Sequence, residues 1–140
     1  MLTPSEFLDS YCEIGYKKSR SPVGRMFALA ILAGILIGMG AVVSNTASHT
    51  IENLSMARVV CGLLFPFGLV IVLFTGAELF TGNCLITIPV LERKVVWTGM
   101  LRNLICVYVG NLVGSVLLAA TIVYSGQLDL SNGALAVFTI

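Results

Sequence analysis

Apolar residues run in three long stretches along this chain, and the polar ones gather between them. Residues 26–44 carry no charge over 19 positions, and residues 103–128 none over 26. At about 1.5 Å of rise per helical residue these reach roughly 28 and 39 Å, enough to cross a hydrocarbon core of about 30 Å. The stretch between them, 59–91, has 33 residues and one charge, Glu78. As one straight helix it would extend about 50 Å, some 20 Å too far. Two spans fail as well, because the 13 residues of 79–91 would reach only about 20 Å.

One crossing in two pieces resolves this, with a non-helical break at 75–83, "TGAELFTGN". Gly76 and Gly82 supply the backbone freedom that a break requires. Irregular backbone at membrane depth survives only where protein buries it or where it lines a wet cavity. The break is therefore expected to be a pore or binding element. The amides at the start of its second half-helix should carry partial positive charge toward an anion.

Ahead of the first span, Thr3, Pro4 and Glu6 form a capping box with proline at the first helical position. Phe7, Leu8, Tyr11 and Ile14 recur at helical spacing, which predicts an amphipathic helix ending before Pro22. It should lie on the membrane surface or under the bundle. The spans are expected at about 26–46, 59–91 and 103–126, with 1–22 as helix and linker and 23–140 as the transmembrane unit. The first apolar stretch is longer than the core of a signal peptide and has 25 residues ahead of it, so it reads as a span. Ala30, Gly34 and Gly38, and Gly110 with Gly114, are small residues at four-residue steps that let helices pack closely.

Composition agrees. The chain is 57% apolar and 11% charged, with mean hydropathy +0.98, too little charge to solvate a soluble domain of this size. Alternating spans put seven of the eight basic residues on one side and Arg58 alone on the other. The positive-inside rule then predicts a multi-pass protein of the cell (inner or plasma) membrane, amino terminus cytoplasmic. Net charge of +1 and no basic face give no case for nucleic acid. The four cysteines lack C-x-x-C spacing and read as small apolar residues in helices. Neither a metal site nor a cofactor is expected, and no nucleophile–base pair or phosphate-cradling loop points to an enzyme.

"GAELFTGN" (76–83) and, about twenty residues on, "RNLICVYVGNLVGS" (102–115) together resemble the formate/nitrite transporter family, which includes hydrosulfide channels. The resemblance covers essentially the whole chain. It implies an all-α membrane fold, half of an aquaporin-like inverted-repeat arrangement of six spans, in homopentamers with one pore per protomer. Thr81 matches the family's pore threonine, Leu79 a constriction leucine, and Phe65 and Leu69 apolar positions that narrow the pore. Phe80 belongs to the same lining. Gly76, Glu78, Gly82 and Asn83 structure the loop, with Glu78 accepting backbone N–H bonds and Asn83 capping the second half-helix.

The family's second broken helix, its pore histidine with the neighbouring aromatic constriction, and a lysine after the third span have no counterpart. His49, in the loop after the first span, reads as a surface residue. The chain thus corresponds to the amino-terminal half of such a transporter. A natural half-length protein pairing in inverted orientation would need balanced flanking charge, which seven against one does not give. The implied substrates are small monovalent anions, formate first with hydrosulfide or nitrite close behind, passing the apolar ring as the neutral acid. The alternatives are a neutral-solute facilitator, although no N-P-A repeat is present, and a structural subunit of a membrane complex.

Overall fold

The computed structural model describes residues 3–140. Those residues form α1 (Pro4–Ser19), α2 (Val23–Ser48), α3 (Leu54–Leu64), α4 (Pro66–Thr75), α5 (Phe80–Asn83), α6 (Thr87–Leu91), α7 (Trp97–Tyr124) and α8 (Ala134–Thr139). Tighter 3₁₀ turns occupy Cys84–Ile86 and Gln127–Asp129. Three helical stretches are long and apolar enough to cross a membrane: Val23–Ser48, Leu54–Thr75 and Trp97–Tyr124. Each helix starts three to six residues ahead of its expected span, because residues before the uncharged run extend it, and the third ends at Tyr124, two residues before the expected 126.

The frame is the α2–α7 pair, brought together by glycine. A Cβ on Gly34 would lie 2.3 Å from the Asn111 carbonyl oxygen, and one on Gly114 would lie 2.1 Å from that of Ile31. Neither position admits a side chain unless the backbones separate. Gly110 meets Ala30 in the same seam, so the small residues picked out along both helices do form the interface. A second crossing went unseen in the sequence: Gly40 of α2 against Gly68 of α4, each Cβ position 2.8 Å from a backbone oxygen of the facing helix.

Side-chain bonds fix the path between the two ends of the bundle. Arg102, early in α7, donates to the Ser19 and Ser21 carbonyls at 2.9 and 3.1 Å. Those residues lie just before α2. At the far end of α2, His49 Nε2 and Ser131 Oγ are 3.0 Å apart, and Gln127 donates to Thr46 at 3.0 Å. The segment from α3 to α6 therefore runs the length of the bundle once, as the length arithmetic required.

α1 starts as the capping box predicts. The Thr3 amide donates to Glu6 at 2.7 Å and holds that carboxyl below the usual carboxylate range. Its packing face is not the expected one. Cys12, Gly15 and Ser19 are buried, whereas Phe7, Leu8 and Ile14 are exposed. The reason is close approach: Gly15 sits against the Pro89 ring, where a Cβ would come within 2.6 Å of Cγ. Lys94, its pKa raised chiefly by its hydrogen bond to Asp9 at 3.0 Å, ties α1 to the turn after α6.

Candidate functional site

The second apolar region is interrupted twice. Pro66 has no N–H and divides α3 from α4, yet Phe65 keeps helical dihedrals (φ −54°, ψ −42°) and the helix resumes at once. At Gly76 the chain turns left-handed (φ 65°), the conformation that glycine adopts without a Cβ penalty, and α4 ends. Leu79 is extended (φ −102°, ψ 132°), and helix returns at Phe80. The break thus covers 76–79, narrower than the expected 75–83. Residues 80–83 make one α-turn, closed by the Asn83 amide on the Leu79 carbonyl at 3.0 Å.

Gly76 and Ala77 donate back to the Val72 carbonyl of α4, whereas Glu78 and Phe80 find partners on neighbouring helices. Glu78 N–H donates to the Leu29 carbonyl of α2 at 3.2 Å. Asn111 of α7 does more. Its Oδ1 accepts Phe80 N–H at 2.9 Å, and its Nδ2 donates to the Glu78 carbonyl at 2.9 Å and the Ala30 carbonyl at 2.8 Å. Unpaired, each such buried backbone group would cost about 1–3 kcal/mol.

A closed polar ring joins the break to α1. Lys18 Nζ donates to Glu78 Oε2 at 2.7 Å and to Asn83 Oδ1 at 2.8 Å. Asn83 Nδ2 donates to the same carboxylate oxygen at 2.7 Å and to Asn103 Oδ1 at 2.8 Å. Asn103 Nδ2 returns to the Lys18 carbonyl at 3.2 Å and touches Met26 Sδ at 3.0 Å. Asn83 and Asn103 are fully buried, and Glu78 is 8% exposed. A carboxylate this deep is tolerable because an ammonium and an amide solvate it.

Two roles expected from the sequence change accordingly. Glu78 accepts from the side chains of Lys18 and Asn83, not from backbone amides. Asn83 caps nothing; it closes α5 and spends its amide inside the ring. The second half-helix is also not uniform, passing from α to 3₁₀ to α with Pro89 inside α6. Its first amide, that of Phe80, is occupied by Asn111. Lys18 adds a full positive charge on the wall of the adjoining cavity.

Beside the break lies an open cavity of about 430 Å³, lined among others by Leu69, Leu79, Thr81, Asn83, Tyr11 and Lys18. Gly82 lines it too. Gly76 and Glu78 face a neighbouring cavity of about 340 Å³, shared with Lys17, Lys18 and Arg25. Leu69, Leu79 and Thr81 are thus brought together. Phe65 and Phe80 are not among them. The Phe80 ring packs against the Met26, Ala30 and Val107 cluster and stands edge-on to Tyr108, centroids 5.5 Å apart. Phe65 is 47% exposed at the Pro66 kink. Among the described residues, no group of three or more His, Cys, Asp or Glu could hold a metal.

Sequence reasoning missed Lys18, Asn103 and Asn111. Lys18 lies 60 residues from Glu78, and no local pattern reveals such a pairing. The asparagines did leave a trace. They are polar residues in an otherwise apolar run, on the helical stripe of Gly110 and Gly114, where amides bridge membrane helices.

The model of the family described as formate/nitrite transporter matches residues 5–140. Among similar proteins, the probable formate transporter of Methanothermobacter thermautotrophicus is 30% identical over 122 residues, covering 84% of this chain and 44% of the relative. The formate channel FocA of Escherichia coli (strain K12) is 34% identical over 120 residues, covering 84% and 42%. A solved FNT family ion channel superposes with a TM-score of 0.78 at 27% identity, covering 87% of this chain and 50% of that one. The chain spans about half the length of these proteins. With three helices of membrane-crossing length and a match that runs through the break, Lys18 and both α7 asparagines, this membrane protein belongs to the formate/nitrite transporter family.

Proposed function

We propose that the chain forms the first half of a channel for small monovalent anions, formate foremost, with hydrosulfide or nitrite close behind. The observation that carries this reading is the break at 76–79, which sets Leu79 and Thr81 beside Lys18 around one cavity. Residues 1–22 serve as helix and linker and 23–140 as the transmembrane repeat. The break lies at membrane depth, the amino terminus faces the cytoplasm, and an inverted second repeat completes each pore of a homopentamer.

An ammonium has three N–H donors, and Lys18 uses two on Glu78 and Asn83. The third is available to an incoming anion at the cavity wall. Beyond it, Leu79 and Leu69 make an apolar passage. Carrying a bare carboxylate-sized ion into a low-dielectric medium costs on the order of 20 kcal/mol in the idealised limit. Protonating a carboxylate of pKa about 3.7 at neutral pH costs only about 4–5 kcal/mol. The neutral acid therefore crosses the ring at far lower cost than the ion. Lys18 concentrates the anion, and the Thr81 hydroxyl, both donor and acceptor, holds it where a proton joins. Thr81 does not supply that proton at neutral pH.

Stopped-flow light scattering tests this on proteoliposomes carrying the protein expressed from its full native reading frame. Formate-driven swelling is expected, and Thr81→Val should lower it by about tenfold. Glycerol-driven swelling in its place would favour a neutral-solute facilitator. Neither response would leave a structural subunit.

A further inference from the structure

We infer that Asn111 is a positioning residue that holds the break open by pairing with Leu79 as a neighbouring β-strand would. In an extended chain the carbonyl of residue i−1 and the N–H of residue i+1 point to the same side, and the N–H and carbonyl of one residue on a facing parallel strand satisfy both. Here Leu79 is the extended residue. The Glu78 carbonyl and the Phe80 N–H that flank it both meet the Asn111 side chain at 2.9 Å. A primary carboxamide copies that residue's edge, with acceptor and donor side by side, and Asn and Gln carry the pair at every pH. The remaining Nδ2 hydrogen reaches the Ala30 carbonyl at 2.8 Å, which anchors the mimic to the wall of α2.

This arrangement decides which way three consecutive side chains face. With the backbone pinned on both sides of residue 79, Leu79 and Thr81 line the cavity, and Phe80 between them turns to the Met26–Ala30–Val107 cluster. Without the mimic, the Glu78 carbonyl and Phe80 N–H lose their partners. Rewinding of 76–79 toward helix would then carry Leu79 and Thr81 off the cavity wall. The α2–α7 seam fixes the asparagine's depth, since Gly34 packs on its own backbone oxygen.

The inference rests on the permeation reading only for its effect on flux, so two readouts separate them. Hydrogen exchange of the Phe80 amide in nanodiscs reads the bond directly. It should be slow in the wild-type protein and at least about tenfold faster in Asn111→Leu. Formate flux should fall about tenfold in the same variant. Asn111→Asp supplies the decisive pH profile. Its neutral carboxyl still accepts from Phe80 and donates to a carbonyl, whereas the ionised form has no donor and faces two carbonyl oxygens. The charged side chains on this stretch of the break are Glu78 and its partner Lys18. Flux of Asn111→Asp, relative to wild type at each pH, should be substantial near about pH 5 and lost near about pH 8.

A profile parallel to wild type, slow Phe80 exchange in Asn111→Leu, or failure of Asn111→Asp to fold even at low pH would each overturn the inference. Altered exchange in a protein that carries no formate would instead sink the permeation reading and leave the positioning role standing.

Discussion

The two interruptions of the second apolar region look alike in sequence, each marked by a helix breaker, yet they have opposite consequences. At Pro66 one N–H is missing and the helix continues, because a single lost bond leaves the dihedrals on either side helical. At 76–79 the chain leaves helix altogether; Gly76 and Ala77 fall back on the Val72 carbonyl, and the polar groups of Glu78 and Phe80 take partners from other elements. α2 contributes the Leu29 carbonyl, α7 contributes Asn111, and α1 contributes Lys18 to the Glu78 side chain. A kink is a local event. A break has to be built by the whole bundle.

The largest effect is expected where the break depends most on distant partners. Glu78→Leu leaves the Lys18 ammonium and the Asn83 amide without their carboxylate. Removing one member of a buried pair costs about 3–5 kcal/mol; with Lys18 31% exposed, the lower end applies, roughly 3 kcal/mol. Thermal unfolding in detergent should show a large fall in Tm, and a double variant with Lys18→Met should recover part of it. Full additivity of the two losses would contradict the coupling drawn here.

Gly76→Ala should matter less. It forces a Cβ into the left-handed region at φ 65°, which costs about 1–2 kcal/mol, and no atom beyond its chain neighbours lies within 4 Å of that Cβ. A stability loss of about 1 kcal/mol is the expected result in the same melt. The smallest effect belongs to Pro66→Ala, which returns an N–H to a helix already continuous there. Stability should move by less than about 1 kcal/mol and formate flux by less than about twofold. A loss as deep as that of Glu78→Leu would show that the kink and the break are one device.

The same contrast explains what could be read without coordinates. Lengths of apolar runs gave the three helices of membrane-crossing length, and the excess in 59–91 gave the existence and approximate place of the break, because helix rise and bilayer thickness are fixed quantities. The glycine steps in α2 and α7 were legible for the same reason: small residues at four-residue spacing have one common use in lipid. The buried face of α1 was not, because Gly15 and Cys12 score as neither apolar stripe nor polar face until Pro89 is known to lie beneath them. Glu78 stood out as a buried charge, but its partner Lys18 was indistinguishable from the other basic residues near the first span. Its role depends on the bundle closing, and no local pattern carries that.

Placing Thr81 on a water-filled path is the central claim, and its most direct test is thiol accessibility. In a background lacking the four native cysteines, Thr81→Cys in proteoliposomes should react with a small, charged, water-soluble thiol reagent and be slowed by formate, while Phe74→Cys, 86% exposed on α4 and away from the cavity, should stay unreactive in lipid. A Thr81→Cys that is inert, or that reacts at the same rate with and without formate, would contradict the account.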